Sequence, residues 1–256
     1  AYTYAPSVVT AFLAATATKV AIYVLVRVFF TVFGVQFSFA QQPLGEILLL
    51  LSVLAMFTAS TVAIFQSDAK RMFAYSSVAQ IGYMVLGISL ASVLGVAAGL
   101  LHLFNHALMK AALFLALGCV FWRIGSVQIA RMAGLGRRMP WTMAAIVVGG
   151  LSLIGIPGTA GFISKWYLIQ ASLDAGLWVL ALLILLSSLL AVIYVWRIVE
   201  AAYLRPAPDG APRGEAPLSM LVPTWLVVLA NIWFGVDTRL SVGTALRAAE
   251  FLMGGG

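Results

Sequence analysis

Charge is scarce in this sequence. Only 9 % of its 256 residues are charged, while 63 % are hydrophobic and the mean hydropathy is +1.06. No soluble domain has that balance, so the chain reads as a polytopic membrane protein. Cysteine is nearly absent. Cys119 stands alone inside an apolar run, which excludes an internal disulfide and argues against an iron–sulfur cluster or a structural zinc site. No Gly-x-Gly-x-x-Gly or Walker-type loop occurs, so no nucleotide site is visible. No nucleophile–base pair or metal cluster stands out, and neither catalytic residues nor a cofactor are expected. Acidic residues are few: 8 against 15 basic ones, a net charge of +7. In a soluble chain that would suggest nucleic acid; in a lipid bilayer it marks basic cytoplasmic loops, and no nucleic-acid partner is expected. No charged leader or cleavage site precedes the first apolar run, which is therefore not a signal peptide, and upstream helices are expected to be missing.

What is present is a succession of apolar stretches. The pattern predicts an all-α bundle of about seven transmembrane helices at 6–33, 44–65, 72–91, 94–121, 141–173, 176–203 and 218–234. Residues 34–43 and the Pro/Gly-rich 205–217 read as loops, and Asp174 as loop. The stretch 141–173 is too long for a simple span. It contains Gly155, Pro157, Gly158 and Gly161, so this helix is expected to break near 157, in mid-membrane. Residues 1–236 are expected to form the membrane domain, and 237–256 an amphipathic tail lying on the membrane or on a neighbouring subunit. Alternating through seven helices collects Lys70, Arg71, Arg123, Arg131, Arg137, Arg138, Arg205 and Arg213 on one side. By the positive-inside rule that side is cytoplasmic, so the chain enters there and ends outside.

A few polar residues interrupt the apolar runs. His102, His106 and Lys110 are four apart and climb one helix face. Lys19 lies about 20 Å from either end of its predicted helix, too far to snorkel, and Lys165 follows the predicted break by eight residues. Titratable groups at bilayer depth are costly and mark ion or proton paths; the alternative is polar packing between helices. Ser76, Ser77 and Gln80 are neutral and can orient water or simply hydrogen-bond helix to helix. Glu46 reads as a helix-dipole partner, and Arg197 and Glu200 as markers of emergence into the headgroups. Gly95 and Gly99 would let a neighbouring helix approach closely. His102 and His106 could hold a metal, but no third ligand is near and none is expected.

Four ordered stretches carry a resemblance. They are residues 6–13 leading to Thr18-Lys19-Val20-Ala21, residues 68–82, the His-x3-His-x3-Lys of 102–110, and Gly155-Ile-Pro-Gly-Thr-Ala-Gly-Phe-Ile-Ser-Lys165. Together they resemble the antiporter-like family. That family holds the proton-pumping membrane subunits of NADH–quinone oxidoreductase, the membrane subunits of energy-converting hydrogenases and the Mrp-type Na⁺/H⁺ antiporters. Residues 1–7, 17–23 and 231–238 look most like the D-type membrane component of the Mrp antiporter.

The resemblance implies a fold of fourteen core helices with two inverted five-helix repeats. This chain would supply the C-terminal part, with the first broken helix and its lysine upstream. It also implies a bacterial cell membrane location, partner subunits in a hetero-oligomeric complex, and exchange of Na⁺ against protons, with the protons carried along an axis of Lys19, His106, Lys110 and Lys165. Relatives often carry histidines where this chain has Tyr2 and Tyr4; a phenol titrating near about 10 is a poor proton relay at neutral pH. Three functions compete at this stage. The first is a Na⁺/H⁺ antiporter subunit, the second a proton-translocating subunit of a redox complex, and the third a non-conducting scaffold that would tolerate loss of Lys19, Lys110 and Lys165.

Overall fold

The structure is a computed structural model that describes residues 5–208, 210, 212 and 214–254. Tyr2, Tyr4 and Arg213 lie outside the described residues. Among the described residues every regular element is helical: α1 (Ser7–Ala15), α2 (Ala17–Val26), α3 (Leu44–Ile64), α4 (Ala69–Ser89), α5 (Val93–Ile124), the single turn α6 (Leu135–Arg138), α7 (Pro140–Ile154), α8 (Ala160–Asp174), α9 (Trp178–Val199), α10 (Leu218–Val236) and α11 (Arg239–Leu252). Among the described residues six spans are long and apolar enough to cross a membrane: Ser7–Val32, Leu44–Ile64, Ala69–Ser89, Val93–Ile124, Trp178–Leu204 and Leu218–Val236. The predicted seventh is shared by α7 and α8, which flank the expected break. The predicted all-α membrane bundle is therefore the observed architecture.

Helix α5 is the central post. At 32 residues it is about 48 Å long, and it packs against α1, α4, α7, α8, α10 and α11. Its N-terminus is capped by the Ser92 side chain, and its C-terminus by Gly125 in the left-handed region. The close approach expected at Gly95 and Gly99 is made to α4. A Cβ on Gly99 would lie 2.8 Å from the Met84 carbonyl, and one on Gly87 only 2.6 Å from the Gly95 carbonyl. These glycines let the two helices touch backbone to backbone, which brings Gln80 of α4 within reach of α5.

Several local expectations change. The stretch 6–33 is not one smooth helix. Thr16 breaks it with φ −122° and ψ −56°, and the Thr16 hydroxyl folds back onto the Phe12 carbonyl at 2.7 Å. Such back-bonding by threonine competes with the backbone ladder and bends helices. Beyond α2 the chain widens into π-helical turns at Arg27–Val32, and a second π-helical segment, Gln36–Gln41, replaces the expected loop. Asp174 is the last residue of α8 rather than loop.

Arg197 finds a protein partner at its end of the bundle. Its guanidinium caps the far end of α3, donating to the carbonyls of Ile64 and Gln66. Lys70 is buried, with its ammonium on the Ala5 carbonyl. The tail is helical and amphipathic, and it folds back on its own chain. Val242, Ala245 and Ala249 pack with Ile22, Val26 and Leu101, and the Asp237–Arg239 ion pair marks where the tail turns back.

The basic loops are tied together at one end of the bundle. Ala69 N donates to Val127 O, Arg123 Nε to Gly214 O and Arg138 to Pro212 O. Glu215 accepts from Trp141 N, Thr142 N and Thr142 Oγ1, so a loop carboxylate caps the exposed N–H groups of α7.

Candidate polar axis

The break comes first because it sets Lys165. Gly155 takes φ +95°, a left-handed conformation that ends α7, and Gly158 takes φ +85° before α8 begins. Ending a helix frees its last carbonyls. Two of them, Leu153 O and Ile154 O, accept from the Lys165 ammonium at 3.1 and 2.8 Å, and Ser188 Oγ of α9 takes the third donor at 2.9 Å. The lysine stem passes directly over Gly155, where an added Cβ would sit 2.9 Å from Lys165 Cδ. The ammonium also lies 4.7 Å from the Tyr83 ring centroid.

Lys19 repeats the device. The Thr16 break frees the Ala14 carbonyl, and the Lys19 ammonium donates to it. Lys110 donates to Phe73 O at 2.8 Å and Ser76 Oγ at 2.5 Å. The Ser77 hydroxyl shares the same Phe73 carbonyl at 3.1 Å. All four lysines of the chain are buried, and among the described residues none has a carboxylate partner; the ion pairs there are Arg205–Glu200 and Arg239–Asp237.

Between these ammoniums lie the histidines, both fully buried. Their rings stack 6.2 Å apart with 7° between planes, as a four-residue spacing on a helix demands. His102 is held at both nitrogens: Nε2 faces Gln80 Oε1 at 2.9 Å and Nδ1 faces Ser164 Oγ at 2.8 Å. The Gln80 oxygen only accepts, so Nε2 carries the proton and the Ser164 hydroxyl donates to Nδ1. His106 is different: neither ring nitrogen has a protein partner. Lys19 and Lys110 both lie close enough to act on it electrostatically.

The structure thus brings Lys110, Ser76, Gln80, His102, His106 and Lys165 into one buried axis across α4, α5 and α8, with Lys19 beside it. Sequence reading missed four members. Tyr194 of α9 is fully buried, its hydroxyl beside Ser76 and Gln80 without a hydrogen bond of ordinary geometry to either. Ser164 orients His102, Ser188 holds Lys165, and Asn105 donates to the Ala160 carbonyl at 2.6 Å, at the start of α8. Each was visible as a polar residue in an apolar stretch; which of them meet was not.

A bundle with a broken helix at its centre and lysines docked on the freed carbonyls belongs to the class of polytopic antiporter-like membrane subunits. The family described as NADH:quinone oxidoreductase/Mrp antiporter, transmembrane, matches residues 1–191, and the chain belongs to that family. It is 39 % identical to NADH-quinone oxidoreductase subunit N of Desulforudis audaxviator, over 97 % of this chain and 52 % of that protein. It is 32 % identical to F(420)H(2) dehydrogenase subunit N of Methanosarcina mazei, over 98 % of this chain and 52 % of that protein. Among solved structures it superimposes on a chain of the Mrp complex from Dietzia sp. DQ12-45-1b with a TM-score of 0.87 and 25 % identity, over 98 % of this chain and 54 % of that one. The chain spans about half the length of the curated relatives it matches.

Proposed function

We propose that this chain carries one of the two proton half-paths of an antiporter-like subunit in a redox-driven membrane complex. The observation that carries this reading is the pair of buried clusters Lys110–Ser76 and Gln80–His102–Ser164, one helical turn apart on α4, with Lys165 at the helix break. Lysine and histidine are the groups that can take up and release a proton in such a setting. A buried imidazole with two unpartnered nitrogens requires water, so His106 marks where water joins the axis. Protons move between Lys110 and Lys165 along the line of Ser76, Tyr194, Gln80, His102 and Ser164, with water closing the gaps. The hydrogen bonds run from Ser164 to His102 Nδ1 and from His102 Nε2 to Gln80, so transfer in this tautomer goes from the Lys165 side toward Lys110. Lys165, on carbonyls that exist only because the helix is broken, gates exchange with one side.

Redox coupling is favoured by the curated relatives, which are subunits of quinone- and F(420)H(2)-linked complexes. Every described carboxylate lies at a helix end, in a loop or on the exposed face of α11, so no acidic Na⁺ site adjoins the axis. A second reading, cation/proton antiport as the D-type component of an Mrp complex, rests on the close superposition with the Mrp complex. In either case the partners are other membrane subunits, the membrane is the bacterial plasma membrane, and the basic-loop end faces the cytoplasm.

The test uses inside-out vesicles holding the full-length subunit in its complex. A pH gradient built by quinone or F(420) chemistry supports the first reading; collapse of an imposed gradient on adding Na⁺, without redox turnover, supports the second. In the same vesicles Tyr194→Phe, which removes one hydroxyl beside Ser76 and Gln80 and leaves the ring, should slow proton transfer with normal yield of the complex. An unchanged rate would remove Tyr194 from the path.

A further inference from the structure

The break between α7 and α8 leaves the first N–H groups of α8 without intrahelical acceptors. Thr159, the residue placed to cap them, turns its hydroxyl back to Ile156 O at 2.7 Å and caps nothing. The cap comes instead from across the break: Gly161 N donates to Ser152 Oγ of α7 at 3.1 Å. The Ser152 hydroxyl in turn donates to Asn231 Oδ1 of α10 at 2.7 Å. Ser152 and Asn231 are fully buried. One turn further along α10, Gly235 lies against the Thr159 backbone, where a Cβ would fall 2.3 Å from the Thr159 carbonyl carbon. Helix α10 therefore holds both sides of the break at once.

We propose that Asn231 is a positioning residue for Lys165, acting through Ser152. Ser152 immediately precedes Leu153 and Ile154, whose carbonyls hold the Lys165 ammonium, and its hydroxyl also fixes the start of the helix that carries Lys165. The Asn231–Ser152–Gly161 bridge sets the register of the two half-helices and so the distance between the lysine and its acceptors. Helix α10, which contributes no titratable group to the axis, thereby governs its gate. The inference rests on the reading of Lys165 as a proton carrier.

The experiment measures proton translocation, yield of assembled complex and amide exchange over residues 160–165 in the full complex. The variants are Ser152→Ala, Asn231→Ala, the double variant, Ser152→Thr and Lys165→Ala. Ser152→Ala should lower translocation about fivefold, the effect of one net hydrogen bond, with normal yield and faster exchange. Asn231→Ala should match it, and the double variant should be no worse than either alone, because both break one bridge. Ser152→Thr keeps the hydroxyl and should restore the wild-type rate. If Asn231→Ala fails to assemble, Ser152→Ala against Ser152→Thr decides alone. Unchanged exchange in Ser152→Ala, or faster exchange with wild-type translocation, would overturn the positioning role. Wild-type translocation in Lys165→Ala would instead overturn the functional reading beneath it.

Discussion

Lys165→Ala should cut proton translocation about 100-fold, as removal of a positioned proton donor–acceptor does, while the complex still assembles. The side chain is 4 % exposed and gives all three donors to Leu153 O, Ile154 O and Ser188 Oγ. Truncation leaves two carbonyls of the half-helix unpaired, and water entering the vacated space can satisfy them. Lys165→Arg separates charge from titration. A guanidinium can reach the same acceptors and stays charged, but it does not release its proton at any working pH. The relay account predicts that Lys165→Arg fails as Lys165→Ala does. Retained activity in the arginine variant would mean that fixed positive charge alone is needed at the break.

Gly161→Ala should lose the assembled complex. A Cβ there would lie 1.8 Å from the Ser152 carbonyl oxygen, a backbone atom that cannot rotate away. Relief requires separating α7 from α8, and that breaks the Ser152 cap and draws the Leu153 and Ile154 carbonyls from Lys165. The control is Gly158→Ala in the same loop. Nothing lies within 4 Å of that Cβ, and the cost is confined to φ +85°, about 1 kcal/mol. Gly158→Ala should assemble in near-normal yield. Equal yields from the two variants in a membrane extract resolved on a native gel would contradict the packing argument.

The broken helix was legible because its cause is local. Gly155, Pro157, Gly158 and Gly161 lie within seven residues, and each weakens the helix by a mechanism that acts on the residue itself. The shared face of His102, His106 and Lys110 was legible because helical periodicity is also local. Thr16 gave no such warning: the sequence around it has neither Pro nor Gly, and the bend comes from a hydroxyl choosing its own helix's carbonyl. Arg197 at the end of α3 and Asn231 at the break are long-range partners, separated from their acceptors by 133 and 79 residues. No pattern within either helix encodes such a meeting. Tyr194 belongs to the same group, since one phenol in an apolar span reads equally as an interfacial anchor. The tail was recognisable as amphipathic, but amphipathicity states only that an apolar face must be covered. Its cover is α2 and α5 of the same chain.

Sequence motifs and curated relatives also point in slightly different directions. The motifs at 17–23 and 231–238 resemble the D-type Mrp component, whereas the relatives at 32–39 % identity belong to redox complexes. The buried axis is common to both assignments, because a proton path is indifferent to whether its driving force is electron transfer or a cation gradient.

The central claim is that protons cross the fully buried space between Lys110 and Lys165. His106→Phe tests it most directly. Phenylalanine fills the same space beside His102 and removes both nitrogens, two of the buried atoms with no protein partner, and with them the proposed entry point of water to the axis. Proton translocation and complex yield would be measured together in vesicles of the full complex. The account predicts normal yield and translocation at least about tenfold below wild type. Wild-type translocation through a normally assembled His106→Phe complex would contradict it and move the path away from α5.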